Sequence, residues 1–263
     1  MTRPVTRPVT GLTRVAIPDG SAEAWVSRPE GDGTYPGVLL LTDAFGVRPQ
    51  IEKMADRIAG WGHVVMAPNV FHRDGSIAEL APGVDLRDEE ASASYLAQAF
   101  SRVRRLTPAQ VEPDLDRYVD ALLGLPGVLD GSIGVTGYCM GARLALRTAC
   151  LRPEVVAACG CFHGGRLATQ EDDSPHRLLP RARAAFVLGH ADKDRSMPAA
   201  AIEQLDEALD DAGLEHLTRV CVGAPHGYTM ADTPAYDEGA AEWHYAALAD
   251  LFSRSLAGRS PDR

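Results

Sequence analysis

Three kinds of reactive side chain follow apolar runs of this chain, in the order cysteine, aspartate, histidine. Cys139 lies in Gly137-Tyr138-Cys139-Met140-Gly141, after the run Ile133 to Thr136. Asp192 and Asp194 come after Ala184 to Gly189, and His226, between Pro225 and Gly227, comes after Leu217 to Val222. A thiol, an imidazole and a carboxylate are the parts of nucleophilic catalysis. The imidazole takes the proton from sulfur, the carboxylate orients the imidazole, and the thiolate attacks an acyl carbon. A nucleophile on a sharp strand-to-helix turn occupies strained backbone with close neighbours, and Gly137 and Gly141 supply the clearance. A helix opening at Met140 points its amides at the sulfur and favours the thiolate, and the Met140 amide is placed to bind an oxyanion.

Competing readings of these residues differ in weight. Most free cysteines are small buried hydrophobes, and Cys150, Cys159, Cys161 and Cys221, on helix or strand interiors, fit that description. Cys139 is set apart by a strand before it and a helix after it. Of eight histidines, His226 alone sits in a late post-strand loop that no element consumes. His63, His216 and His244 are expected to be structural, while His163 and His190 follow strands and are secondary candidates for a pocket wall. Spacing alone leaves Asp192 and Asp194 both open as the acid. A non-catalytic small-molecule binding protein or a thiol redox sensor could use the same architecture. A sensor needs a resolving thiol nearby, and none lies in the Cys139 loop; a binding protein has no need of cysteine and histidine together.

The elements that must position these groups read as alternating strand and helix. Val15 and Ile17, a Pro18-Asp19-Gly20 turn, and Ala22 to Val26 predict an antiparallel hairpin. Val38 to Thr42 is a continuous apolar run, as in a strand buried on both faces. Ile51, Met54, Ala55, Ile58 and Ala59 recur at helical spacing, and Val64 to Ala67 is a strand stopped by Pro68. The charged segment 72–112, with a helix around Ala91 to Leu106, is the expected cap or cover. Helical period over Leu115 to Leu125 comes next, then the strand ending before Cys139 and a helix from Met140 to Ala149. Strands over Val155 to Phe162, Ala184 to Gly189 and Leu217 to Val222, with helices from Pro198 to Ala212 and up to Leu256, predict a mostly parallel sheet covered on both faces. Ligands of such sheets gather at the carboxyl ends of the strands, where the three reactive groups fall.

With 263 residues, 45% of them hydrophobic, the chain can bury one large core, so a single domain is expected over 12–256, with loose tails at 1–11 and 257–263. A formal charge of −10 gives no attraction to nucleic acid or anionic lipid. The five cysteines are odd in number, lack C-x-x-C pairing and lie in the second half, which fits free thiols of a reducing, cytoplasmic compartment, with neither a disulfide framework nor a zinc site. The repeated Thr-Arg-Pro-Val opening lacks the apolar segment of a signal peptide, and no apolar run reaches membrane-spanning length. Spacing says nothing of oligomeric state.

From about Leu12 to Leu256 the chain resembles the dienelactone hydrolase family, an α/β-hydrolase group whose nucleophile, acid, histidine order it keeps. The likeness is carried by Leu40-Leu41-Thr42-Asp43-Ala44-Phe45-Gly46-Val47, Ala67-Pro68-Asn69-Val70-Phe71-His72-Arg73, the Cys139 turn, Asp194-Arg195-Ser196-Met197-Pro198 and Pro225-His226-Gly227-Tyr228. It implies an α/β-hydrolase fold and a Cys-His-Asp triad that opens small esters or lactones through an acyl-enzyme without metal or organic cofactor. Carried over by position, Cys139 is the nucleophile, His226 the base and Asp194, favoured over Asp192, the acid. The Ala44 amide is the second oxyanion donor, Asp43 replaces a glutamate that contacts the resting thiol, and Arg73 aligns with a substrate-carboxylate clamp. A second clamping arginine is replaced by Met230, which argues against a muconate lactone and for a less anionic substrate.

Overall fold

The computed structural model describes residues 8–256. It has strands β1 (Val9–Ile17), β2 (Gly20–Arg28), β3 (Gly37–Leu41), β4 (Val64–Pro68), β5 (Ile133–Tyr138), β6 (Val156–Phe162), β7 (Ala185–Ala191) and β8 (His216–Cys221). Its helices are α1 (Pro49–Ala59), α2 (Ile77–Leu80), α3 (Glu89–Arg105), α4 (Pro108–Leu123), α5 (Met140–Leu151), α6 (Ala199–Asp211) and α7 (Glu238–Ser255), with a short 3₁₀ turn at Pro175–Arg181. All eight strands form one sheet in the order β1-β2-β4-β3-β5-β6-β7-β8. β1 pairs with β2 and β2 with β4 antiparallel; every other pairing is parallel. This is an α/β-hydrolase fold with an antiparallel N-terminal hairpin.

Side-chain alternation explains why the inner strands are apolar throughout. Leu39 and Leu41 enter one core, with Leu115, Val119 and Leu122 of α4 and Ala142 and Leu146 of α5. Val38 and Leu40 enter another on the opposite face, with Ile51, Met54 and Ile58 of α1 and Leu248, Leu251 and Phe252 of α7. Period-two geometry divides each strand between the two cores, so both faces must be apolar. Helices α1 and α7 therefore cover one face and α4 and α5 the other. No helix among the described residues is long and apolar enough to cross a membrane.

Two elements differ from expectation. β1 begins at Val9, so the end of the expected tail 1–11 belongs to the sheet. Its first four residues are exposed because β1 is the outer strand, and an edge with both faces wet carries no apolar alternation. Residues 1–7, and the expected tail at 257–263, lie outside the described residues. Helix α4 starts at Pro108, well before Leu115, with Pro113 inside it. Pro113 removes one amide donor, but burial of Val111 and Leu115 on either side holds the turn in place. The expected cover 72–112 thus ends within a helix of the main body. Its central helix, α3, fully buries Ala99 alone.

Candidate active site

Among the described residues, four that are not glycine adopt positive φ, and all follow inner strands at their carboxyl ends: Cys139 after β5 (56°), His163 (38°) and Arg166 (57°) after β6, and Lys193 after β7 (56°). Such backbone is strained and persists where surrounding structure enforces it. The enforcement at Cys139 is visible in its flanking glycines. A Cβ on Gly137 would lie 2.1 Å from the Gly141 carbonyl oxygen, and one on Gly141 would lie 2.3 Å from that of Leu41. The Cys139 amide donates to the Phe162 carbonyl at 3.1 Å, and the residue forms the N-cap of α5.

Across the sheet edge, the loop after β7 holds Asp194 and the loop after β8 holds His226. Nδ1 of His226 lies 2.5 Å from Asp194 Oδ2, while Asp194 Oδ1 accepts from the Ser196 amide at 2.8 Å and its hydroxyl at 2.7 Å. Burial would raise the Asp194 pKa, but these bonds outweigh it and bring it down to about 2. For His226, burial pulls downward, and the bond to Asp194 and proximity of Cys139 overcome it, raising the pKa to about 10. The imidazole is thus built to hold a proton between a carboxylate and a sulfur. Asp192 is engaged elsewhere, accepting from the Gly223 amide at 2.9 Å. Ser196, which occupies both remaining positions on Asp194, was not singled out by sequence; it is a short polar residue two places on, a common self-bonding arrangement.

His163, a secondary candidate, lines the same space as a neutral neighbour of His226. Their ring centroids are 5.4 Å apart, close to perpendicular, and His163 Nε2 meets Thr229 Oγ1 at 2.7 Å. Burial, then the charge of His226, keeps its pKa well below the usual value. His190 lies inside β7 and takes no part in the cavity wall.

Cys139, Asp194 and His226 border a cavity of about 1040 Å³. Met140 and Ala44 line it as well, and Leu96 and Phe100 of α3 form an apolar wall opposite. Asp43 fixes the turn beside Ala44: its Oδ1 accepts from the Phe45 amide at 3.0 Å, and its carbonyl from Gly46 at 3.1 Å.

Two side chains given roles by the resemblance are bound to other partners. Asp43 lines the cavity with Cys139, and Arg48 grips both its carboxylate oxygens, at 2.7 and 3.0 Å, and binds Asp232 at 2.7 and 3.1 Å. The shorter side chain has been captured by a guanidinium that is 1% exposed. Arg73 stands outside the cavity, with Nη1 and Nη2 on Asp114 at 2.5 and 3.1 Å and Nε and Nη2 on Asp19 at 2.7 and 3.0 Å. Two carboxylates already fill its fork, so it is not a substrate clamp. Met230 lines the cavity with an apolar side chain.

The fold and the histidine–carboxylate pair beside a strained cysteine define an α/β-hydrolase with a cysteine at its elbow. The model of the Dienelactone hydrolase family matches residues 22–256, and the chain belongs to that family. A carboxymethylenebutenolidase of Rhodococcus opacus is 30% identical over 227 residues, spanning 85% of this chain and 83% of that protein. A crystal structure of a Klebsiella pneumoniae protein assigned as a dienelactone hydrolase superposes with a TM-score of 0.80 at 23% identity, covering 94% of this chain and 99% of that one. The dienelactone hydrolase of Anabaena variabilis gives a TM-score of 0.59 at 18% identity, covering 95% and 99%. The chain is therefore a hydrolase of the dienelactone hydrolase type that acts on a small molecule.

Proposed function

We propose that the protein hydrolyses a small carboxylic ester or lactone through a thioester on Cys139. The observation that carries this reading is the Asp194–His226 pair at 2.5 Å, beside a cysteine held at φ 56° at the start of α5. His226, its pKa raised to about 10, already holds the proton given up by Cys139, so sulfur attacks the carbonyl carbon as a thiolate and the amides of Met140 and Ala44 receive the oxyanion. Collapse breaks the acyl C–O bond, and His226 returns the proton to the leaving oxygen, which in a lactone stays tethered to the acyl chain. Water, deprotonated by His226, then attacks the thioester, and the thiolate leaves with its proton restored. Asp194 keeps Nδ1 protonated, so that Nε2 is the nitrogen that exchanges the proton. The name of the Rhodococcus opacus relative makes an unsaturated lactone a reasonable member of the substrate class.

A redox-sensor reading is less well supported, since Cys139 is the sole cysteine among the residues lining the cavity. Cys150, the next along the chain, is buried, which pushes its thiol up to about 12. With 4-nitrophenyl acetate, the wild type is expected to show a burst of nitrophenol before steady turnover. Cys139→Ala should lose both burst and turnover, kcat falling by on the order of 10⁴ or more. Full esterase activity in that variant would remove the proposal.

A further inference from the structure

The cavity wall holds a guanidinium with no counter-ion. Three other arginines drawn partly or wholly out of water are matched: Arg48 by Asp43 and Asp232, Arg147 by Glu112, and Arg152 by Asp116, Asp120 and Glu154. Arg143 is half-buried in the wall and, among the described residues, takes no ion pair or side-chain hydrogen bond. Burial first, then the charges of Arg166 and Arg147, pulls its pKa below the ordinary value, with Cys139 and Asp173 opposing. A cation drawn out of water beside other cations is destabilising unless something brings an anion to it. In a chain of formal charge −10, such a local excess of positive charge is a property of this wall.

Its place on the helix says where that anion would sit. Arg143 stands in the first turn of α5, four residues after its N-cap Cys139, and both line the cavity. Side chains of a helix lean toward its N-terminus, so the guanidinium leans toward the sulfur. Arg104, Arg166 and Arg195 also line the cavity but are exposed to solvent, and Arg166 is paired with Glu171, while neither Arg73, bound to Asp19 and Asp114, nor the apolar Met230 offers a competing anchor.

We infer that Arg143 is the carboxylate anchor of the cavity, binding a carboxylate on the acyl chain of the ester or lactone that Cys139 attacks. This rests on the acyl-enzyme reading of the same site. It replaces the expectation of a less anionic substrate, since the charge missing at position 230 is supplied from the nucleophile helix. The planar fork suits a carboxylate. An anchor in the first turn of the helix that Cys139 caps fits half-esters of short dicarboxylic acids and carboxylated lactones. An anchor on the acyl side holds the substrate through both halves of the reaction, because the acyl chain stays on sulfur when the alcohol departs.

The test compares 4-nitrophenyl hydrogen glutarate with the uncharged 4-nitrophenyl pentanoate in the full chain, for wild type, Arg143→Gln and Arg143→Lys. The ratio of kcat/KM, glutarate over pentanoate, is expected to fall about ten- to a hundredfold in Arg143→Gln, chiefly through KM for the glutarate, and to recover in part in Arg143→Lys. Alkylation gives a readout independent of turnover: the rate of Cys139 modification by iodoacetate relative to iodoacetamide should fall in Arg143→Gln. Both ratios unchanged in both variants would overturn the anchor. Cys139→Ala in parallel keeps the two readings apart: turnover retained there sinks the acyl-enzyme, whereas unchanged ratios with Cys139→Ala inactive sink the anchor alone.

Discussion

Two charged clusters reach the same cavity, one through Asp43 and the other through Asp194 and His226, and they differ in whether a proton can leave. Beside β3, Asp43 and Asp232 are bridged by Arg48, with every contact a charge-assisted hydrogen bond between 2.7 and 3.1 Å. Beyond β7 and β8, Asp194 meets an imidazole and the imidazole faces a thiol. Arginine does not deprotonate in a protein, so the first cluster is a fixed clamp. Histidine does, so the second can move a proton in each half of a reaction. The same carboxylate chemistry yields a strut in one place and a proton-handling site in the other, and the cation decides which.

The largest expected effect separates the two aspartates of the β7 loop. Asp194→Asn should leave the imidazole without its orienting anion and lower kcat by about 10⁴, near 5.5 kcal/mol in the barrier. Asp192→Asn, which still offers an acceptor to Gly223, should stay within about twofold of wild type. Equal losses in steady-state assays of the two variants would mean that the 2.5 Å contact has been assigned the wrong importance.

Next in size is the strut. Arg48→Met leaves the carboxylates of Asp43 and Asp232 facing each other in a largely buried site, and should cost about 3–5 kcal/mol of folding stability. Urea unfolding measures this. If stability were unchanged while turnover vanished, the contrast between clamp and proton-handling site would be broken.

The smallest effect is on pH and carries a sign. The folded pKa of His226, about 10 against an ordinary 6.5, makes its contribution to stability complete below 6.5 and lost as pH rises through about 10. That of Asp194, about 2 against 3.8, is present above 3.8 and lost as pH falls through about 2. The Tm difference between wild type and His226→Gln should therefore be greatest between 3.8 and 6.5 and fade toward alkaline pH. Its amplitude is limited because the His226 side chain is 34% exposed and solvent screens the pair. A difference that grows with alkaline pH would contradict the assignment.

The inner sheet was readable because a strand buried on both faces must be apolar throughout, as Val38 to Leu41 are. β1 was only half readable, since its outer residues are wet on both sides, and the first half of α4 was hidden by Pro113, which local propensity treats as a break. At the site, the glycines around Cys139 and the loop position of His226 are local signals, and they point to residues that do converge on one cavity. The choice between Asp192 and Asp194 is not local. Both sit in one loop, and only the approach of a residue 32 positions away distinguishes them. Distance also hid the fates of Asp43 and Arg73. Arg48 brings in Asp232 from 184 residues away, and Arg73 is captured by Asp19 and Asp114 from 54 and 41 residues away. Capture of this kind depends on the finished fold, so a motif that aligns with a substrate clamp can become a part-buried ion pair.

The central claim is a covalent bond between the acyl group and one sulfur. Wild-type protein turning over 4-nitrophenyl acetate, quenched in acid and peptide-mapped by mass spectrometry, should carry the acyl mass on the peptide containing Cys139, and hydroxylamine should remove it. Steady turnover with no acyl group on that peptide, or with the acyl group on another residue, would contradict the account.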